Sequence, residues 1–346
     1  MSPLTRFAVS RRLEIKGTRV VLLAGLLLSL PAAAQKHASR AEREYAASLP
    51  AAIWRDPGDI SKRNLFYGAG GRRDAPDLKD RFKFIKEDLS GTNPKFDIED
   101  SHGRKWRVKL GHETRPETAA TRLLWVAGYF VDEDYFAAKL RVDGLPKLRR
   151  GEKFVLRDGT VLDARLELRR NDIRKLGNWS WFQNKFEGGR QFNGLRVMMC
   201  LMDDWDLKTD NNSIYLVDGE RDYAITDLGA SFGKTGSYFT RSKGVVGDYA
   251  RAAFIARLTP TRVDFVFHSR PPFFMAFRVH KYHEHARWED VARNIPIRDA
   301  KWIGNLLGRL SPDQLRDCFR AAGYDDGTAT RYAEAVQQRI AQLNRL

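Results

Sequence analysis

The chain carries two short acidic segments whose residue types suit phosphoryl transfer: Asp206-Leu207-Lys208-Thr209-Asp210-Asn211 and, sixteen residues after Asn211, Asp227-Leu228-Gly229. The first has the pattern D-x-K-x-x-N. Moving a phosphoryl group asks for a carboxylate to orient the acceptor hydroxyl, a cation on the moving phosphate, and Asn and Asp oxygens on a divalent metal. Asp206, Lys208, Asn211 and Asp227 supply these groups in that order. Asn212 is a neighbouring substitute for Asn211, whereas Asp203 and Asp204 read as helix-end residues.

Such groups need elements that hold them. Residues 213–217 and 223–226 are β-rich and flank Asp218-Gly219, which predicts a hairpin with a tight turn between the two segments. A helix is expected at about 190 to 204, delivering the chain to Asp206. Earlier, residues 82–86 and 96–100 alternate apolar with polar, and 106–110 follow after the His102-Gly103 turn. The small polar loop 89–95, with Ser90, Gly91 and Thr92, is a candidate for laying backbone N–H groups over phosphates. Lys109 lies on the third of these strands. Pro116 then opens a helix expected from Glu117 to about Gly128. Residues 135–168 hold further strand-like runs. The glycine-rich phrase at 66–71 lacks the Lys-Ser/Thr of a phosphate loop and reads as a turn. Beyond Gly229 comes a Gly-, Ser- and Lys-rich loop to about 247, then largely helical sequence, with a capped helix start at Ser311-Pro312-Asp313-Gln314 and an amphipathic helix from 332 to 343.

The set Lys109, Glu117, Asp206, Lys208, Asn211 and Asp227 resembles the protein-kinase-like fold, nearer its atypical bacterial and secreted branches of HipA type or CotH type. The resemblance covers about 82 to 340. It implies an α+β fold of two lobes, an antiparallel-sheet N-lobe (82–170) and a helix-rich C-lobe (171–346) behind a lead-in segment (35–81). It also implies that Lys109 holds the donor phosphates and pairs with Glu117, for which Glu113 is the substitute. Ser90, Gly91 and Thr92 complete the nucleotide side. Asp206 becomes the catalytic base and Lys208 the cation on the moving phosphate. Asn211 and Asp227 become ligands of Mg²⁺ or Mn²⁺ carried with a nucleoside triphosphate. Three departures stand out: Asp204-Trp205 replaces the usual His-Arg before the catalytic Asp, no A-P-E-like segment follows Asp227, and the glycine loop is atypical.

Composition sets the outer limits. The chain has 346 residues, is 42% hydrophobic and has formal net charge +16. It is therefore globular, with a surface that suits phosphates; no motif for nucleic acid is present, and nucleic acid is not an expected partner. A basic stretch, the apolar run 20–30 and Pro31-Ala32-Ala33-Ala34 predict a signal peptide over 1–34, cleaved before Gln35, with export to the periplasm or medium and no membrane span in the mature chain. An uncleaved anchor is the alternative, although the run is short beside a full span of about 20 residues. An exported site would lack ATP, so another phosphorylated small molecule is an alternative donor. Cys200 sits in an apolar run and reads as a buried free thiol; its pairing with Cys318 is open. His268, His280, His283 and His285 cluster without a recognised metal pattern. The expectation is a phosphotransferase of unknown acceptor. The competing expectation is a catalytically inactive kinase-like module that binds an anionic ligand or an envelope partner.

Overall fold

A computed structural model describes residues 38–237, 239–269 and 279–346, without the side chains of 279–282. The expected signal peptide and the side chain of His280 lie outside the described residues. The elements begin with α1 (Arg40–Ala47), β1 (Ala51–Ala52) and α2 (Gly71–Asp74), followed by β2 (Phe82–Asp88), β3 (Lys95–Glu99), β4 (Lys105–Leu110), α3 (Thr114–Val126), β5 (Asp134–Asp143) and β6 (Thr160–Leu168). Then come β7 (Arg174–Gly177), α4 (Arg190–Met202), β8 (Asn212–Val217), β9 (Glu220–Ile225), α5 (Val246–Arg251), β10 (Ile255–Leu258) and β11 (Arg262–Phe265). The chain finishes with α6 (Val279–Trp288), β12 (Ile295–Pro296), α7 (Ile297–Leu307), α8 (Pro312–Ala321) and α9 (Asp326–Arg345). The fold is mixed α+β, rich in antiparallel strands toward the N-terminus and helical toward the C-terminus. No helix among the described residues is long and apolar enough to cross a membrane.

Strands β2-β3-β4-β6-β5 close into a barrel. Its pairs are antiparallel except β2 with β5. Alternation decides which side chains enter it. Phe96 faces Val108, Ile98 faces Trp106, and Val108 and Trp106 face Leu166 and Leu168. Together these make an apolar filling. The alternate positions form three ranks of charged residues across the opposite face of the same strands: Lys95, Lys109 and Arg165; Asp97, Arg107 and Glu167; Glu99 and Lys105.

Helix α3 packs on β5 and β6 on one side and on α8 on the other. It starts three residues before the expected Glu117. Pro116 lies inside its first turn, where the missing N–H leaves no helical bond unmade. The helical part encloses the larger core, which contains α4, α8 and α9 and the aromatic group Phe232, Tyr249, Phe319 and Tyr332. The lead-in segment contributes Ile53, Ile60 and Leu65 to this core. Gln314 Nε2 holds the segment by donating to the carbonyls of Ile60, Ser61 and Arg63 at 2.9–3.1 Å. The stretch 66–70 is turn and irregular backbone that runs into α2 at Gly71, with Gly68 and Gly71 at positive φ.

The expected hairpin is β8–β9, its turn made by Asp218 (φ 49°) and Gly219 (φ 77°); two successive left-handed residues suit the twist of a two-residue hairpin. It sits in a sheet of order β1-β9-β8-β7. The region after Gly229 differs from expectation. Three strands, β10-β11-β12, form a small sheet between helices. Val263, Phe265 and Ile295 are buried in it as single alternate residues, too short a pattern to separate strand from helix by periodicity.

Candidate active site

Lys109 is placed by the pleat of β4, which turns it away from the apolar filling that takes Val108 and Leu110. Its Nζ lies 2.8 Å from Glu117 Oε2, 2.9 Å from Glu113 Oε2 and 3.1 Å from Asp227 Oδ1. The sequence offered Glu117 and Glu113 as alternatives; the structure uses both. Burial by itself would lower the lysine, but Glu117, Asp227 and Glu113 together hold it well above the ordinary lysine range. Glu117 is fixed from behind by Arg165 Nη1 at 3.5 Å, and Arg165 Nε bonds Asp134 Oδ2 at 2.7 Å. Asp134 also bonds Arg122, so a buried chain of alternating charges ties α3 to β5 and β6. Burial pushes Glu117 up to about 7 against the pull of Arg165 and Lys109. Burial also works against Glu113, but Lys109 and Lys243 overcome it and hold Glu113 down to about 2.

The acidic segments lie on irregular backbone beneath. Helix α4 ends at Asp203, which adopts a left-handed conformation, φ 55°. Arg339 of α9 reaches across the core to Asp203 Oδ2 at 2.9 Å, and to the carbonyls of Leu201 at 3.0 Å and Tyr249 at 3.1 Å. Asp204 is fully buried. Its oxygens accept from Asp206 N at 3.1 Å and Ser231 Oγ at 2.9 Å, and burial raises its carboxyl well above the usual range. These contacts orient the turn that presents Asp206. Asn211 Nδ2 donates to the Asp206 carbonyl at 2.6 Å. The Asn211 carbonyl accepts from Thr226 N at 2.9 Å and Asp227 N at 3.3 Å, which brings the two acidic segments side by side. Gly229 N donates to Asp227 Oδ1 at 3.2 Å. A Cβ at Gly229 would stand 2.7 Å from Glu113, so only glycine lets the segment pass under α3.

These groups line one cleft of about 600 Å³. It brings together Lys109, Glu117, Asp206, Lys208, Asn211, Asp227, Gly91 and Thr92. Ser90 is not among its lining residues; its N–H closes a local turn on Asp88 Oδ1 at 2.9 Å. Lys208 Nζ sits 2.6 Å from Asp206 Oδ2, while Asp206 Oδ1 is buried with no hydrogen-bond partner among the described residues. Asp227 and Asn211 offer hard oxygens, and Mg²⁺ is ordinarily bound by one or two carboxylates with substrate phosphates and water supplying the rest. The donor set therefore fits Mg²⁺ or Mn²⁺ held jointly with a phosphorylated ligand. Among the described residues there is no group of three or more His, Cys, Asp or Glu able to hold a metal unaided.

Several lining residues were not singled out from the sequence: Asn93 and Lys243, both bonded to Glu113; Arg241, stacked 3.9 Å over the Trp205 ring; and Lys95, Arg107, Arg165, Arg169 and Lys175. For the strand residues a signal existed. Arg107 and Lys109, like Arg165 and Glu167, stand two apart and so share a face. His283 and His285 are not among the residues lining this cleft. His285 Nδ1 contacts the Ser269 carbonyl at 3.1 Å, and His283 lines a separate small cleft with Phe182 and Leu207. Cys200 and Cys318 are both buried free thiols.

No family model and no curated protein sequence matches the chain. Among solved structures it is similar to the proinflammatory kinase CtkA of Helicobacter pylori, with 8% identity over 76% of this chain and 93% of that one, TM-score 0.40. It is similar also to the Golgi casein kinase, with 9% identity over 77% of this chain and 71% of that one, TM-score 0.39. The same kinase with Mn and ADP bound gives 9% identity over the same shares, TM-score 0.36.

Proposed function

We propose that this chain is an exported, metal- and nucleotide-dependent phosphotransferase of the protein-kinase-like class. One observation carries the reading: Lys109, paired with Glu117, meets Asp227 from 118 residues further along the chain, in the cleft that also presents Asp206, Lys208 and Asn211. These are the group types that phosphoryl transfer asks for, gathered around one opening. Export is supported by the N-terminal sequence alone. A HipA-type or CotH-type affiliation rests on the short motifs alone.

In this reading Asp227 and Asn211 would hold Mg²⁺ or Mn²⁺, which supplies charge neutralisation on the donor phosphates. Lys109 holds the donor phosphates, its own position set by Glu117. Asp206 orients an acceptor hydroxyl and takes its proton as the acceptor oxygen bonds to the terminal phosphorus and the bond to the leaving phosphate breaks. Lys208, 2.6 Å from Asp206, neutralises the transferring group.

A second reading has its own observation. Lys109 already has three carboxylate neighbours and Lys208 already bonds Asp206, so both cations are engaged before any ligand arrives. That suits a module that binds an anion without turning it over. Thermal shift with a nucleotide panel and Mg²⁺ or Mn²⁺, beside Asp227→Ala, tests the first part: ligand at a hundred times its dissociation constant adds about 2.7 kcal/mol. A metal-dependent shift abolished by Asp227→Ala supports the site; its absence with every nucleotide sinks the nucleotide reading. Turnover that Asp206→Ala abolishes separates the enzyme from the binder.

A further inference from the structure

Among the described residues, the wall of the cleft contains no aliphatic side chain. Its lining residues are charged, polar or glycine, apart from the aromatic Trp205 and Tyr215. A nucleobase is ordinarily held in an apolar slot with a few placed polar groups. Here the sheet face that continues inward from Lys109 carries Arg107, paired with Asp97 at 2.9 Å, and then Glu167 and Arg169. Ser213, Tyr215 and Lys175 line the same cleft.

Two buried guanidinium groups at this inner end have donors left over. Arg165 has 3% and Arg169 10% of its side chain exposed, and both close on the same carboxylate, Glu167. Yet Arg165 Nη2 and Arg169 Nε have no hydrogen-bond partner among the described residues. A buried N–H left unmade is costly, so such donors mark a place where an acceptor is expected. Lys175 lines the same end, half-buried, and its ammonium lies within electrostatic reach of Asp132, Asp210, Arg169 and Glu167. The carboxylates there offset these cations only in part: Glu167 faces both guanidinium groups and Asp134 holds Arg165, while Lys175 has no ion pair among the described residues. Burial raises Asp132 well above the usual range, with Glu167 adding to it, while Arg169 and Arg165 keep Glu167 ionised.

We propose that Arg165, Arg169 and Lys175 form a second anion subsite at the inner end of the cleft. The ligand then carries a phosphate or carboxylate at a distance from the phosphates that Lys109 engages. This rests on the phosphate-binding reading of the outer end and narrows it. The favoured ligand is a small molecule with separated anionic groups, and a simple nucleoside triphosphate leaves the inner donors unmet.

Calorimetry on the chain from Gln35 onward, with Mn²⁺, distinguishes the cases using two probes: ATP, and inositol hexakisphosphate as a baseless polyanion. The expected result is that Lys175→Ala and Arg169→Gln each weaken inositol hexakisphosphate about tenfold or more and change ATP less than threefold. Asp227→Asn weakens both probes. Inositol hexakisphosphate binding that neither inner variant weakens, or no binding of it at all, overturns the subsite. Metal-dependent ATP binding that still falls on Asp227→Asn would then leave the outer-end reading standing. If Asp227→Asn changes neither probe while the inner variants do, the subsite stands and the phosphotransferase reading falls. Lys175→Ala removes a half-exposed side chain that has no ion pair among the described residues, so loss of binding there, with an unchanged melting curve, is not a folding defect.

Discussion

The roof and the floor of the cleft hold their chemistry in opposite ways. In the roof, Lys109, Arg107, Arg165 and Glu167 sit on regular strands, and neighbouring charges hold one another. In the floor, Asp206, Asn211 and Asp227 sit on irregular backbone held from behind by Asp204, Ser231 and, further away, Arg339. Strand pleat places a side chain by local geometry. A loop has no such rule and depends on groups that arrive from distant parts of the chain. The roof should therefore respond to pH and to single charge changes, and the floor to the loss of its buried support.

The largest effect is expected behind the floor. Arg339→Met leaves Asp203 buried without its cation and takes a donor from the carbonyls of Leu201, which keeps the Tyr249 hydroxyl, and Tyr249. It should destabilise by about 3–5 kcal/mol in urea unfolding. A loss below about 1 kcal/mol would break the claim that the floor depends on distant support. Next, Asp206→Ala should lower turnover by about 10²–10⁴-fold with little change in melting temperature, as expected for a group that handles a proton. A variant that keeps its rate removes Asp206 from the catalytic role.

Roof variants should act more gently and through pH. Glu117→Gln leaves Lys109 with Glu113 and Asp227, and nucleotide affinity should fall about tenfold, roughly 1.4 kcal/mol. Glu117 titrates at about 7 in the folded chain, above its ordinary 4.5. The stability it contributes is thus present below about 4.5 and lost as pH rises through 7. The variant should flatten that decline in melts across this range. Glu113 has the opposite sign. Held at about 2, it contributes stability above about 4.5 that disappears as pH falls toward 2. Glu113→Gln should cost about 1–2 kcal/mol near neutrality and almost nothing near pH 2. Identical pH profiles for the two variants would show that their shared lysine does not set their different titrations.

Much of the site was legible because its motifs are short and local. The spacing of Asp206, Lys208 and Asn211, the Asp218-Gly219 turn and the alternation around Lys109 are all read within a few residues, and the structure places Lys109, Asp206, Lys208 and Asn211 in one cleft. The helix start at Thr114 was misjudged because Pro116 is compatible with any position in the first turn. The β10–β12 sheet was missed because strands this short carry no decisive period. The charged residues of the roof were visible as alternate positions, but a polar strand face ordinarily meets solvent. Nothing local says that this one lies over a cleft.

The sequence by itself determined the alternation that sends Val108 into the barrel and Lys109 out of it, the turn between β8 and β9, and the order of acidic groups, since each depends on backbone periodicity or on φ preferences within a few residues. Only the tertiary structure decided that Lys109 would meet Glu113, Glu117 and Asp227 together, that Arg339 would support Asp203, and that Arg165 and Arg169 would line the cleft with a buried donor each left unbonded among the described residues. Those pairings join residues up to 136 positions apart, and what selects them is the burial of two separate apolar cores, which no local pattern encodes.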